Sequence, residues 1–301
     1  MTTISQLIIS SLVTGSVLAL VAFGYNLVYS TTRIINFAQG ATVVVAGYLT
    51  WYMNVKQGWP ILWSVLMGIV LSALVGIVVW AIAILPLGQF DPATNIGWIL
   101  TTFSCFIIAQ TLVGRFITLE AQTLPPLSEN FLGLTKTTQI FGAPFDPARA
   151  FLVIGTIIIM IALELLYSKT ITGRAFRAVA EDRMAASLMG INVNMVVAGS
   201  FALAGATAAI GAVLLAPIQG INFISALLLG IQGFIAAVLG GLGSTKGAIV
   251  GGYLMGFLKA LLLTIAPEAA SYEQLVIFGL FIAVLLFRPT GFFGEPAVEK
   301  V

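Results

Sequence analysis

Apolar residues run through this chain in long blocks, and polar residues gather in the gaps. Nine blocks stand out, at roughly 5–29, 34–54, 61–85, 97–118, 150–168, 194–216, 223–242, 246–265 and 272–288. A helix of about 20 apolar residues is long enough to cross a bilayer. Several blocks are short or broken by glycine. One or two are therefore candidates for half-spans or re-entrant pieces, and a count of eight stands beside nine. The pattern predicts an all-α polytopic membrane protein with about 8–9 transmembrane or re-entrant segments. Residues 1–301 form a single transmembrane domain in this reading. Two gaps are long and polar, 119–149 and 169–192.

Composition agrees. The chain is 59% hydrophobic and 8% charged, where soluble domains carry about 25% charge. No water-filled surroundings would tolerate that much apolar surface. The net charge of +2 is spread over the gaps and gives no reason to expect nucleic acid. Cys105 is the single cysteine and lies inside an apolar block, so neither a disulfide nor a thiolate metal site is expected. There is no histidine, which excludes histidine triads, imidazole metal sites and histidine proton relays. Met1 to Gln6 lacks the basic start of a cleavable signal, so the first block is expected to be retained.

Lys and Arg positions set an orientation. With nine crossings and 169–192 in the cytoplasm, Arg33, Lys169, Arg174, Arg177, Arg183, Lys246, Arg288 and Lys300 fall inside. Lys56, Lys136 and Arg149 fall outside. This bias puts the N-terminus outside and the C-terminus in the cytoplasm. An eight-crossing count would move one end.

The 169–192 gap, with Glu164 just before it, holds seven of the 24 charged side chains. Arg174 to Met189 are good helix formers and Gly190 is a natural stop. Arg174, Arg177 and Glu181 fall at i, i+3 and i+7, with Phe176, Val179, Ala180 and Met184 as an apolar stripe beside them. Asp182 is placed to cap a second short helix from Arg183. Two readings stay open at this point. One is an ordinary charged loop that records topology. The other is an amphipathic surface offered to something in the water.

Tyr25 lies near the end of the first block. Arg33-Ile34-Ile35-Asn36-Phe37-Ala38-Gln39-Gly40-Ala41 then places the amides Asn36 and Gln39 where an apolar segment begins. Unwound backbone at membrane depth is tolerated where it lines protein or a wet cavity. A broken helix on a substrate path is one reading; a tight turn with Asn36 as a helix cap is the other. Gln219, Asn222 and Gln232 are further polar positions between apolar segments. Tyr25, Asn36, Phe37, Gln39, Gly40, Gln219, Asn222 and Gln232 are the candidate path residues.

The 119–149 gap reads as a lid over neighbouring helices or a contact for a soluble partner. Block 194–216 is rich in Gly and Ala, as a close helix–helix contact requires. Gly243-Ser244-Thr245-Lys246-Gly247 looks like a phosphate loop but has the wrong order around Lys246 and no strand before it. It reads as a tight turn. Gly40-Ala41 with Gly47-Tyr48-Leu49 echoes Gly247-Ala248 with Gly252-Tyr253-Leu254 at a slightly different spacing, a trace of two-fold duplication or of chance. No acid falls mid-block, which weakens a stand-alone ion-coupled transporter or channel. The lack of histidine or a convincing acid pair leaves no basis for an enzyme.

An ordered set of short matches goes further. It comprises Gly24-Tyr25 with Val28-Tyr29, Ile35-Asn36-Phe37-Ala38 with Gly40, and Gly173-Arg174-Ala175 with Arg177-Ala178. Next come Ala180-Glu181-Asp182, Ala185-Ala186-Ser187-Leu188 with Gly190-Ile191-Asn192, Ala237 to Ser244 with Gly247-Ala248, and Arg288-Pro289-Thr290-Gly291. With these, the chain resembles the LivH-like permease subunits of branched-chain amino-acid ABC importers over nearly its whole length. The resemblance implies a non-enzymatic subunit of a multi-pass permease in a prokaryotic plasma membrane. It would pair with a second related permease, receive substrate from an extracytoplasmic binding protein, and dock two cytoplasmic ATPases. Those ATPases, not this chain, would bind ATP and Mg; this chain is expected to hold no cofactor or metal.

The 169–192 stretch would then carry the coupling helix. Gly173, Arg174, Phe176, Arg177, Glu181, Asp182, Met184 and Gly190 are its candidate coupling residues, with Phe176 or Met184 as apolar anchor in the ATPase. One departure stands out: Ala41 occupies a position where many relatives carry a carboxylate. Urea, short-amide and other amino-acid importers share the framework, and they remain alternatives for the substrate.

Overall fold

The computed structural model describes residues 2–88, 96–132, 138–140, 143–288 and 290–294. Lys136, Pro289 and Lys300, named above, lie outside the described residues. The helices are α1 (Thr2–Thr32), α2 (Gln39–Trp51), α3 (Ile61–Val79), α4 (Gly97–Phe116), α5 (Leu127–Leu132) and α6 (Pro147–Lys169). They continue with α7 (Ile171–Glu181), α8 (Arg183–Leu188), α9 (Val193–Gln219), α10 (Phe223–Gly240), α11 (Thr245–Ile265) and α12 (Glu273–Phe287). A π-helical turn extends α2 to Lys56, and irregular helical turns extend α3 to Leu87. A small antiparallel hairpin, β1 (Thr138–Ile140) with β2 (Ala143–Phe145), lies within the 119–149 stretch.

Each predicted apolar block corresponds to one helix. Seven helices among the described residues are long and apolar enough to cross a membrane; α12 is a shorter apolar helix, and α2 is shorter still. The largest difference is at 34–38. These residues are not helical, and Ile34, Asn36 and Ala38 are nonetheless buried. Helix α2 starts only at Gln39 and so begins inside the protein.

The centre is α1, which packs on α9, α10 and α11. From Val13 to Thr32 almost every residue is buried. The approach of α11 requires small residues: a Cβ on Gly256 would run into the backbone of Gly15. Helices α4 and α6 pack one face on this core, through Phe106 and Val113 and through Leu152 and Met160. On α6, Ile154, Ile157, Ile158, Ile161 and Leu165 form an exposed apolar stripe, the surface a lipid-facing helix presents.

Several polar groups in the core find partners. The Asn26 side chain donates to the carbonyls of Gly241 (3.2 Å) and Ser244 (2.8 Å) and accepts from the Gly243 N–H (3.3 Å). It thereby pins the α10–α11 turn to α1. In that turn Gly241 and Gly243 have φ of 108° and 86°, and the Ser244 hydroxyl caps α11 by accepting from Gly247 N–H (3.0 Å). The phosphate-loop lookalike is thus a turn with its donors used internally. After α12, the N–H groups of Phe292 and Phe293 donate to Leu239 and Gly240 at the same turn (2.9 Å each).

Candidate functional site

Three polar places interrupt the apolar bundle: an elbow after α6, the buried break before α2, and a cavity at the opposite end from the elbow.

The elbow is built by local chemistry. Thr170 ends α6 and starts α7; its hydroxyl donates to Leu166 O (2.6 Å) and accepts from Gly173 N–H (3.0 Å). Gly173 sits against the carbonyls of Leu166 and Tyr167 with no room for a Cβ. Arg177 turns back, donating to the carbonyl oxygens of Tyr167 and Ser168, and its guanidinium lies 5.5 Å over the Tyr167 ring. Phe176 is 2% exposed and reaches toward Gly199 on α9.

One continuous helix to Met189 does not form. The chain breaks at Asp182, whose carboxylate caps α8 by accepting from Met184 N–H (2.8 Å) and Ala185 N–H (3.0 Å). Gly190 ends the unit with φ of 83°. Arg183 Nε donates to Thr31 O at the end of α1 (2.8 Å), and Arg33 donates to Ala180 O (3.4 Å). Burial of its guanidinium, with Arg33 nearby, lowers the Arg183 pKa; an arginine remains charged at neutral pH all the same.

Two role assignments change as a result. Phe176 packs α7 on its own bundle, where it is buried, instead of standing free on the surface. Arg177 is a staple of the elbow rather than part of an open charged face. Apolar groups turned outward include Ile171, Met184 (75% exposed), Leu188 and Met189, with exposed Arg174, Glu181 and Asp182 on the same unit. Leu188 lies one helical turn from Met184 on α8, a spacing legible in the sequence, but Leu188 and Met189 were not in the predicted set.

At the buried break, the Asn36 side chain accepts from Ala38 N–H (3.0 Å) and its carbonyl accepts from Gln39 N–H (3.2 Å). This is a tight turn; the N-cap of α2 is Ala38, and no side chain caps that helix. Gln39 differs: it is fully buried, donates through Nε2 to Ala204 O (2.9 Å), and lies against Gly24. Its Oε1 has no protein partner among the described residues. Phe37 stacks with Trp98 (6.3 Å between centroids) and meets Phe234 (6.2 Å), which also meets Tyr25 (5.8 Å). Gly40 faces Phe106. Tyr25 and Phe37 thus converge on an aromatic cluster, with Gln39 close by on α2.

The cavity, of about 190 Å³, is lined by α1, α2, α9, α10, α11 and α12. It brings together Gln219, Asn222 and Gln232, which are distant in character from the aromatic cluster. It also contains two residues absent from the predicted set. Lys259 Nζ lies 2.8 Å from Glu273 Oε1, as an ion pair without hydrogen-bond geometry, and donates to Gln232 Oε1 (3.3 Å). In sequence the two charges belong to different segments. Their pairing comes from the α11–α12 hairpin, whose short connection sets position 259 level with 273.

Relatives of known type share this chain's length. High-affinity branched-chain amino acid transport system permease protein LivH of Escherichia coli is 34% identical over 95% of this chain and 94% of its own. LivM, a permease protein named for the same system in that organism, is 26% identical over 53% of this chain and 38% of its own. A solved structure, PsaBC from Streptococcus pneumoniae in complex with Fab, contains a chain of the same fold, with a TM-score of 0.51 at 16% identity over 93% of this chain and 91% of that one. The family model described as branched-chain amino acid transport system / permease component matches residues 7–285, and the chain belongs to that family.

Proposed function

We propose that this protein is the permease subunit of an ABC importer for branched-chain amino acids. It forms part of the membrane passage and couples to separate ATPase subunits through α7 and α8. The observation that carries this reading is the family match over nearly the whole chain, joined to an elbow that is stapled to the bundle on one side and open on the other. ATP and Mg belong to the partners in this reading.

In this reading the elbow lies in the cytoplasm. Arg33, Lys169, Arg174, Arg177, Arg183, Lys246 and Arg288 share its end of the bundle, as the positive-inside bias requires. The 119–149 stretch and the cavity then face outward, where a binding protein delivers substrate. The membrane is the plasma membrane of a prokaryote. The likeness to LivM supports a heterodimer with a second, related permease. Met184, Leu188 and Met189 form the apolar patch that enters the ATPase, with Arg174 and Glu181 beside it.

The test is a pull-down of the tagged chain from native membranes in mild detergent, with mass identification of what accompanies it. Two ATPase subunits and a second permease of similar size are expected. Recovery of the chain alone, or only with copies of itself, would overturn the coupling role and favour a stand-alone transporter.

A further inference from the structure

The ion pair in the outer cavity is not accounted for by coupling or by fold. Lys259 lies about a turn and a half from the end of α11, where a lysine ordinarily extends its head to the interface. Here it turns inward instead, to Glu273 and Gln232. A partly buried ion pair is a weak fastener; apolar side chains in its place commonly hold helices together as well or better. The pair also opens on space. Both side chains remain about one-fifth exposed, and both line the 190 Å³ cavity. The lining also includes the aliphatic Val17, Leu18 and Leu229, with polar Thr14, Asn222 and Ser225. The cavity therefore combines a positive and a negative charge in contact with aliphatic surface.

We propose that this cavity is a transit site for a zwitterionic amino acid, with Lys259 taking the α-carboxylate, Glu273 taking the α-ammonium, and the aliphatic surface taking the side chain. This rests on the amino-acid permease reading above and supplies the substrate contact which that reading lacks.

The exchange is close to balanced. In the empty site each charge neutralises the other. When a zwitterion enters, Lys259 exchanges a carboxylate for a carboxylate, and Glu273 exchanges an ammonium for an ammonium. No charge is left unpaired in a poorly hydrated place at any stage. Gln232 holds the Lys259 head through its Oε1 while the partners change. A balanced exchange gives weak binding, which suits a site that substrate must leave as readily as it enters. Uncharged solutes of similar size gain nothing from separating the pair, so the site selects for zwitterions.

The experiment uses the complete complex with its ATPases and binding protein in proteoliposomes, with leucine uptake as the readout. The variants are Lys259→Met, Glu273→Gln and the double Lys259→Met/Glu273→Gln. Co-purification of the ATPases checks that each has folded and assembled. Each single variant leaves one charge unpaired and is expected to reduce uptake about tenfold or more, the penalty of an unpaired polar group in a recognition site. The double variant removes both charges together. If the pair only fastens α11 to α12, the double variant assembles and transports leucine like the wild type, and the proposal falls. Uptake still down about tenfold in an assembled double variant supports it. A wild-type complex that imports urea or short amides but not leucine overturns the amino-acid reading itself, which is distinguishable from failure of this site alone.

Discussion

The two ends of the bundle handle charge in opposite ways. At the elbow, Arg33, Arg177 and Arg183 donate to main-chain carbonyls of their own chain, and Arg177 also stacks on Tyr167. Those bonds fix one helix pair against the end of α1. At the other end, Lys259 and Glu273 bind chiefly each other beside open space. A charge bonded to backbone cannot change partners without deforming the fold, whereas one paired with a side chain can. The first arrangement suits the transmission of force and the second the passage of a solute.

The comparison breaks most severely at Gly173. Gly173→Leu puts a side chain into the Leu166 and Tyr167 carbonyls, at a cost of about 3 kcal/mol. Transport and ATPase co-purification are expected to disappear together, with lower yield of folded protein. Retention of the ATPases by this variant would show that the elbow tolerates rearrangement.

Next come two apolar residues on the same short stretch. Phe176→Ala is expected to destabilise the bundle by about 3 kcal/mol, read as a lowered Tm of the purified subunit. Met184→Ala should leave Tm nearly unchanged and weaken ATPase co-purification several-fold, since its side chain is largely exposed. Equal Tm losses would erase the distinction between inner and outer anchor.

Asn36 and Gln39 give a smaller contrast. Asn36→Asp keeps the acceptor for Ala38 N–H and should preserve folding and ATPase binding, while Asn36→Leu loses it and costs about 1 kcal/mol. Gln39→Leu removes the bond to Ala204 and should impair uptake more than assembly. The reverse order would place the transport role at Asn36. Smallest of all, Asp182→Ala removes the α8 cap at a cost of about 1 kcal/mol, with partial loss of substrate-stimulated ATP hydrolysis and little change in yield.

What the sequence made legible follows from what periodicity reports. Nine apolar blocks became nine helices because hydrophobic length and a few turn residues decide where a membrane chain runs straight. The cap at Asp182 was readable because it acts within three residues. The failures are tertiary. Phe176 and Met184 share a stripe on a helical wheel, and only the packing of α7 on α9 separates them. The apolar block from 34 runs ahead of its helix because residues 34–38 are mostly apolar, and their non-helical path is supported by neighbours distant in sequence. Lys259 and Glu273 belong to different segments, and their meeting depends on the geometry of the hairpin between them.

The central place of α1 also has a consequence for synthesis. It is made well before its partners: Asn26 bonds to residues 215 or more positions further along. At roughly 5–20 residues per second, about 10–40 s pass before the α10–α11 turn exists. Throughout that interval α1 lacks these partners. Helices made later close around it, so a chain truncated before α10 leaves Asn26 without the bonds that hold it in the fold.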